Sequence, residues 1–168
     1  MNYAIDTWDE SHARWRELVA LIREEDQARW ALDDERLKPN SHALVAAEGP
    51  IVVGFLTFEV QPLSRDANAP VVHARGEPLT EAYVQTFAVR KDCRARGVGA
   101  ALQREALRFA GRLGCYQMRS WSDMTRVENY AVKVKLGFCA HPAIYHSERT
   151  GEDYDGVYWI KRVGLEDR

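Results

Sequence analysis

The chain of 168 residues is 46% hydrophobic and 29% charged, with a formal net charge of -2, the balance of a globular protein with a full-sized core. It has no basic excess to suggest nucleic acid and no apolar run near the roughly 20 residues of a membrane helix, and "MNYAIDTWDE" lacks the apolar segment of a signal peptide. Cys93, Cys115 and Cys139 are an odd and scattered set, so no disulfide framework is expected and the setting reads as reducing and cytoplasmic.

In chain order, "NYAIDTW" alternates and predicts a short first strand. Ser11 is a candidate cap for a helix with Trp15, Leu18, Val19 and Ile22 at helical spacing. A second helical stretch is expected from Ala28 to Leu37, ending before Pro39. "HALVAAE" and "IVVGFLTFEV" are apolar, β-branched runs joined at Gly49-Pro50, the pattern of a hairpin. From Pro62 to Pro78 periodicity is lost, which predicts a long mobile loop. "EAYVQTFAV" reads as a strand. Val98, Leu102, Ala106, Phe109 and Leu113 then make one apolar stripe, so Gly97 to Leu113 is a helix stopped by Gly114. "CYQMRSW" is a further strand, and Ser122 or Asp123 is a candidate cap for a helix reaching Leu136, with Gly137 as its stop. "FCAHPAIYH" and "GVYWIKRV" close the chain as antiparallel strands. With no repeat or linker, residues 1–168 are expected to form one mixed α/β domain of order β-α-α-β-β-β-α-β-α-β-β.

The segment "VRKDCRARGVGAALQREALRFA" is the most informative. A helix N-terminus offers unpaired N–H groups and partial positive charge. Gly97 and Gly99 let a ligand approach the backbone, and Arg94 and Arg96 add charge beside it. Together these favour a phosphate or pyrophosphate over a plain strand-to-helix turn. No Lys-Ser/Thr follows the glycines, so the segment is not a P-loop. Leu102 stands where a dinucleotide fingerprint needs its third small residue, and Arg90 to Arg94 separate strand from turn, so that reading is weak too.

Arg94-Ala95-Arg96-Gly97-Val98-Gly99 resembles the Arg/Gln-x-x-Gly-x-Gly/Ala motif of the GCN5-related N-acetyltransferases, and "NYAVKVKLGF", Asn129 to Phe138, is similar to that family's second motif. The order of elements agrees from Tyr3 to about Val163. The resemblance implies that family's mostly antiparallel twisted sheet flanked by helices, and transfer of an acetyl group from acetyl-CoA to an amine. The pyrophosphate would rest on Arg94, Ala95, Arg96, Gly97, Val98, Gly99 and Ala100. The freed backbone of Phe87, Ala88 and Val89 would meet the pantetheine and stabilise the oxyanion.

The attacking amine must lose a proton, and Glu59 is the candidate base. The family's acid is often a tyrosine four residues before the Gly of Leu-Gly-Phe. Here that residue is Lys133, so Tyr130, one turn earlier, is expected to protonate the thiolate, with Lys133 as an electrostatic alternative. Asn129 is a candidate for the pantetheine arm. Cys139, His141 and His146 fit no zinc spacing, and no metal is expected. Glu24, Glu25, Asp26, Asp33, Asp34 and Glu35 crowd the first two helices, which favours a small cationic amine as acceptor or else merely a solvated face. A regulatory acyl-CoA binder and a protein amino-group acetyltransferase are the alternatives. "GVYWIKRV" also suggests a homodimer through the last strands.

Overall fold

The computed structural model describes residues 3–63, 71–147 and 150–164. Its elements are β1 (Ala4–Trp8), α1 (Trp15–Glu24), α2 (Ala28–Ala31), β2 (Leu32–Asp33), β3 (Arg36–Leu37), β4 (Ser41–Glu48), β5 (Ile51–Pro62), β6 (His73–Ala74), β7 (Glu77–Pro78), β8 (Thr80–Val89), α3 (Val98–Arg112), β9 (Gln117–Asp123), α4 (Val127–Lys135), β10 (Cys139–His146) and β11 (Asp153–Arg162). Seven strands form one sheet in the order β1-β4-β5-β8-β9-β11-β10. Every pairing in it is antiparallel except β8 with β9.

The central strands are apolar at consecutive positions because helices cover both faces. On one face Trp15, Leu18, Val19 and Ile22 of α1 pack with Ala43, Val45 and Phe55. On the other, Val98, Leu102, Ala106 and Ala110 of α3 pack with Leu44, Leu56, Phe58, Ala82 and Met118. The stripe predicted for α3 is therefore the buried one, although Phe109 is only partly covered and Leu113 lies exposed beyond the helix. Gly114 and Gly137, both left-handed, follow the ends of α3 and α4 as their stops.

Several local expectations are corrected. Ser11 does not cap α1: both its N–H and its hydroxyl donate to Asp9 Oδ1, and the helix begins four residues later. The second helix ends at Ala31, and Leu32 to Leu37 form a tight hairpin instead, because Asp34 takes a left-handed conformation (φ 55°) that no helix tolerates. Neither Ser122 nor Asp123 caps α4. Both lie in β9, and Asp123 accepts from the Thr125 N–H (2.9 Å), holding a turn that delays the helix to Val127. Residues 64–70 of the expected loop lie outside the described residues; beyond them, β6 and β7 make a small hairpin around Arg75 and Gly76.

The junction of β8 and β9 positions the site. Pairing runs for four rows, from Glu81 with Gln117 to Val84 with Ser120, and then stops. On the β5 side, Phe58 pairs with Val84 while Thr57 pairs with Thr86, leaving Gln85 as an extra residue. Such a bulge bends its strand. From Gln85 onward β8 diverges from β9, and a cleft opens between them. At the other end of the four paired rows Glu81, wholly buried, accepts from Arg119 (2.6 Å) and Gln117 (2.8 Å) of β9 and from Gln61 (2.8 Å) of β5. The Arg119 guanidinium is stacked between Tyr83 and Tyr158, 4.8 and 4.7 Å from the ring centres.

Candidate active site

The turn before α3 takes left-handed conformations at Ala95 (φ 58°) and Gly97 (φ 83°). Its first helical hydrogen bond is from the Ala101 N–H to the Gly97 carbonyl (3.1 Å), so the N–H groups of Val98, Gly99 and Ala100 lie ahead of the ladder, free for an anion. Gly99 sits against β8: a Cβ there would come within 3.0 Å of the Phe87 ring and 3.6 Å of Val89. That close approach brings the turn to the edge of the cleft.

The two loop arginines are not bare charges. Arg96 donates to both carboxylate oxygens of Glu48 (3.2 and 3.1 Å). Arg94 donates to the Val89 carbonyl (2.9 Å) and reaches Glu25 (3.5 Å). The acidic crowd is likewise partly neutralised, with Glu24 near Arg90 (3.8 Å) and Glu35 near Arg23 (3.2 Å). Along the freed edge of β8, the Phe87 N–H donates to Gln27 Oε1 (3.0 Å), and Gln27 Nε2 donates to the Phe87 carbonyl (3.4 Å). Phe87 and Val89 turn their side chains toward α3, whereas Ala88 packs on the α1 side.

A polar seam runs from α3 across α4 to β9. Lys133, fully buried, donates to Gln103 Oε1 (3.0 Å), and its ammonium lies 4.3 Å from the Phe138 ring. Burial without a carboxylate partner lowers its pKa from 10.5 to about 7. Asn129 donates to Ser122 Oγ (2.8 Å). The Tyr130 hydroxyl donates to the Asp123 carbonyl (2.9 Å) at the open end of β9, and its ring packs edge-on to Trp159. Burial, and then the nearby Asp123 charge, raise the Tyr130 pKa.

Four polar atoms along this seam, Gln103 Nε2, Ser120 Oγ, Asn129 Oδ1 and Trp159 Nε1, are buried without a hydrogen-bond partner. Buried polar atoms are rarely left unpaired. Their mixed donors and acceptors fit the two amides of a pantetheine arm. Sequence reasoning singled out only Asn129 among them; Ser120 and Gln103 carry no signal in a single sequence.

Glu59 lies on the α1 face, opposite Ser41 on one side and Tyr83 on the other. Ser41 Oγ donates to Gln85 Oε1 (3.1 Å) on that face. Leu56, three residues from Glu59, pairs with Phe87. Glu59 is therefore about 10 Å along the strand from the Phe87 position, at 3.3 Å per residue. The structure does not bring it against the cleft edge. Among the described residues no three His, Cys, Asp or Glu side chains gather as a metal site, and His146 pairs with Asp153 (2.8 Å).

A sheet split between two parallel strands, with a glycine turn and a helix N-terminus at the split, defines the acyl-CoA N-acyltransferase class. The profile of the Acetyltransferase (GNAT) family matches residues 5–138, and the chain belongs to that family. It is an acetyltransferase of that family. No curated protein sequence matches it significantly. Among solved structures it is similar to Arabidopsis thaliana NAA60 in complex with acetyl-CoA, at 13% identity and a TM-score of 0.76, over 96% of this chain and 98% of that one. It is also similar to the ribosomal-protein-S18-alanine N-acetyltransferase of Escherichia coli, at 13% identity and a TM-score of 0.65, over 96% of each chain. Salmonella typhimurium yncA with its cofactor acetyl-CoA shows 15% identity and a TM-score of 0.65, over 98% of this chain and 95% of that one. At such identities the likeness fixes the fold and leaves the acceptor open.

Proposed function

We propose that the protein, acting as one domain in the cytoplasm, acetylates the primary amine of a small cationic molecule, with the pyrophosphate of acetyl-CoA on the Arg94–Ala100 turn and its pantetheine arm between β8 and β9. The observation that carries this reading is the split itself. A freed strand edge, three helix N–H groups ahead of the ladder and a set of unpartnered buried polar atoms on β9, α3, α4 and β11 support it. The three thiols are free, which supports a reducing compartment.

In the reaction the Phe87 N–H donates to the thioester oxygen and holds it as charge develops there. The amine enters from the α1 face and attacks the carbonyl carbon. Its proton passes to Glu59 through water, since Glu59 is too far for direct transfer. The C–S bond breaks as the carbonyl reforms, and the thiolate takes a proton from the Lys133 ammonium. Lys133 suits that role better than Tyr130. Its pKa of about 7 lies below that of a thiol, about 8.5, so the transfer runs downhill. The Tyr130 pKa is raised, and its hydroxyl is committed to the Asp123 carbonyl. Tyr130 and Asn129 instead hold the arm.

The test is release of free thiol from acetyl-CoA across a panel of polyamines, aminosugars, amino acids and peptides with free N-termini. Turnover confined to the peptides would overturn the small-amine reading. The segment "GVYWIKRV" does not offer the expected dimer edge, because β11 lies between β9 and β10 and Trp159 is buried; a homodimer is proposed instead through the edge strand β10, where Ile144 and Tyr145 are exposed. Sedimentation of a monomer at high concentration would exclude it.

A further inference from the structure

The turn between α1 and α2 touches the site at two points. Gln27 makes both of its side-chain hydrogen bonds with the backbone of one residue, Phe87, on the edge that β8 frees by leaving β9. Two bonds from one side-chain amide to the N–H and C=O of a strand residue are those that a residue of a neighbouring antiparallel strand would make. Two residues earlier, the Glu25 carboxylate, itself only 20% exposed, faces the Arg94 guanidinium at 3.5 Å. Arg94 belongs to the turn proposed for the pyrophosphate. One short segment thus presents a carbonyl oxygen where the thioester oxygen would sit and an anion where a phosphate would sit.

The backbone explains how both groups reach across. Asp26 adopts the left-handed conformation (φ 54°), the usual way a helix ends, and the Gln27 N–H returns to the Ile22 carbonyl (3.0 Å). That reversal aims Gln27 at β8 while Glu25 stays over the loop. Glu24 extends the contact to Arg90 at 3.8 Å.

We infer that the α1–α2 turn is an internal stand-in for acetyl-CoA, with Gln27 holding the Phe87 edge and Glu25 holding Arg94 until the coenzyme displaces them. The inference rests on the coenzyme seat proposed above. It makes the apparent affinity for acetyl-CoA the result of a competition, because the population with the edge covered does not bind. It also keeps the N–H that meets the thioester oxygen from standing unpaired in the empty protein.

The decisive variant is Gln27→Ala, because it changes no charge. Removing Glu25 would favour an anion by simple electrostatics, so Glu25→Gln is informative only beside it. Calorimetry with acetyl-CoA should show Gln27→Ala binding about 5-fold tighter, the value of roughly one net hydrogen bond. In the ligand-free protein, hydrogen exchange at the Phe87 amide should be at least about 10-fold faster in Gln27→Ala than in the parent, and slow again once acetyl-CoA is added. Unchanged or weaker affinity in Gln27→Ala, or equal exchange at Phe87 without ligand, overturns the inference. Gly99→Glu separates the two readings. If it abolishes binding while Gln27→Ala fails to tighten it, the seat stands and only the stand-in falls. If acetyl-CoA never slows Phe87 exchange, the seat itself is wrong.

Discussion

Replacing Lys133 with methionine should change how stability depends on pH more than it changes stability itself. The amine is fully buried, and its pKa in the folded protein is about 7 against 10.5 for an ordinary lysine. Between those values the unfolded chain holds a proton that the folded chain has lost, so raising the pH favours folding. Each pH unit in that window contributes 1.36 kcal/mol at most. From pH 7 to pH 9 the parent should therefore gain about 2–3 kcal/mol from this group, allowing for half-titration at the start. Below pH 7 the penalty levels off.

Methionine has a similar length and no charge, so Lys133→Met removes the slope. It also loses the bond to Gln103, a cost nearly constant with pH. Urea unfolding of both proteins from pH 6 to pH 9, at fixed ionic strength, gives the two curves. Parent and variant should converge as the pH rises. Parallel curves would show that Lys133 is not held near neutrality by burial, and would remove the basis for its role as proton donor.

Gly99→Glu should abolish measurable acetyl-CoA binding by calorimetry, because its side chain adds negative charge beside the free N–H groups and its Cβ meets the Phe87 ring at 3.0 Å. Gly97→Ala has open space but a left-handed backbone (φ 83°), so urea unfolding should show a loss of about 1–2 kcal/mol without a packing defect. Tyr130→Phe should leave the rate of acetyl transfer within a few-fold of the parent, while Lys133→Met lowers it on the order of 10²-fold in thiol-release assays, the low end of acid catalysis; the reverse pattern would return the acid to Tyr130. Glu59→Gln should lower turnover most at low pH, with little change in acetyl-CoA affinity; equal rates across pH would exclude it as the base.

The major strands and the two longer helices flanking the cleft were legible because each repeats a simple period. The stripe from Val98 to Ala106 and the runs of β4 and β5 are examples. The glycine turn was legible because Gly97 and Gly99 carry conformational and steric demands that few other residues meet. Ends were not. Ser11, Ser122 and Asp123 are the right types for caps, but whether such a residue caps a helix or closes a local turn depends on the next two residues. The hairpin at Asp34 hid within a helical pattern because aspartate enters the left-handed region without any glycine to announce it. The split between β8 and β9 leaves no local mark, since Val84 and Phe87 look alike as strand residues. The contact of Gln27 with Phe87 spans 60 positions of sequence and has no periodic signature.

The buried group around Glu81 has a mechanical meaning. The sheet is two antiparallel blocks seamed by four rows of parallel pairing, and one end of that seam is already pried apart. A crack of this kind concentrates load at its tip. Three rows behind that tip, at the other end of the seam, Glu81 rivets three strands, taking bonds from β5 and β9 while itself belonging to β8. Drawing the rivet by Glu81→Ala would take the buried carboxylate away from Arg119, Gln117 and Gln61 at once, a loss of roughly 3–5 kcal/mol in urea unfolding. The fissure would be free to run along the remaining rows. The width of the opening that receives the coenzyme is thus set at the far end from where the coenzyme enters.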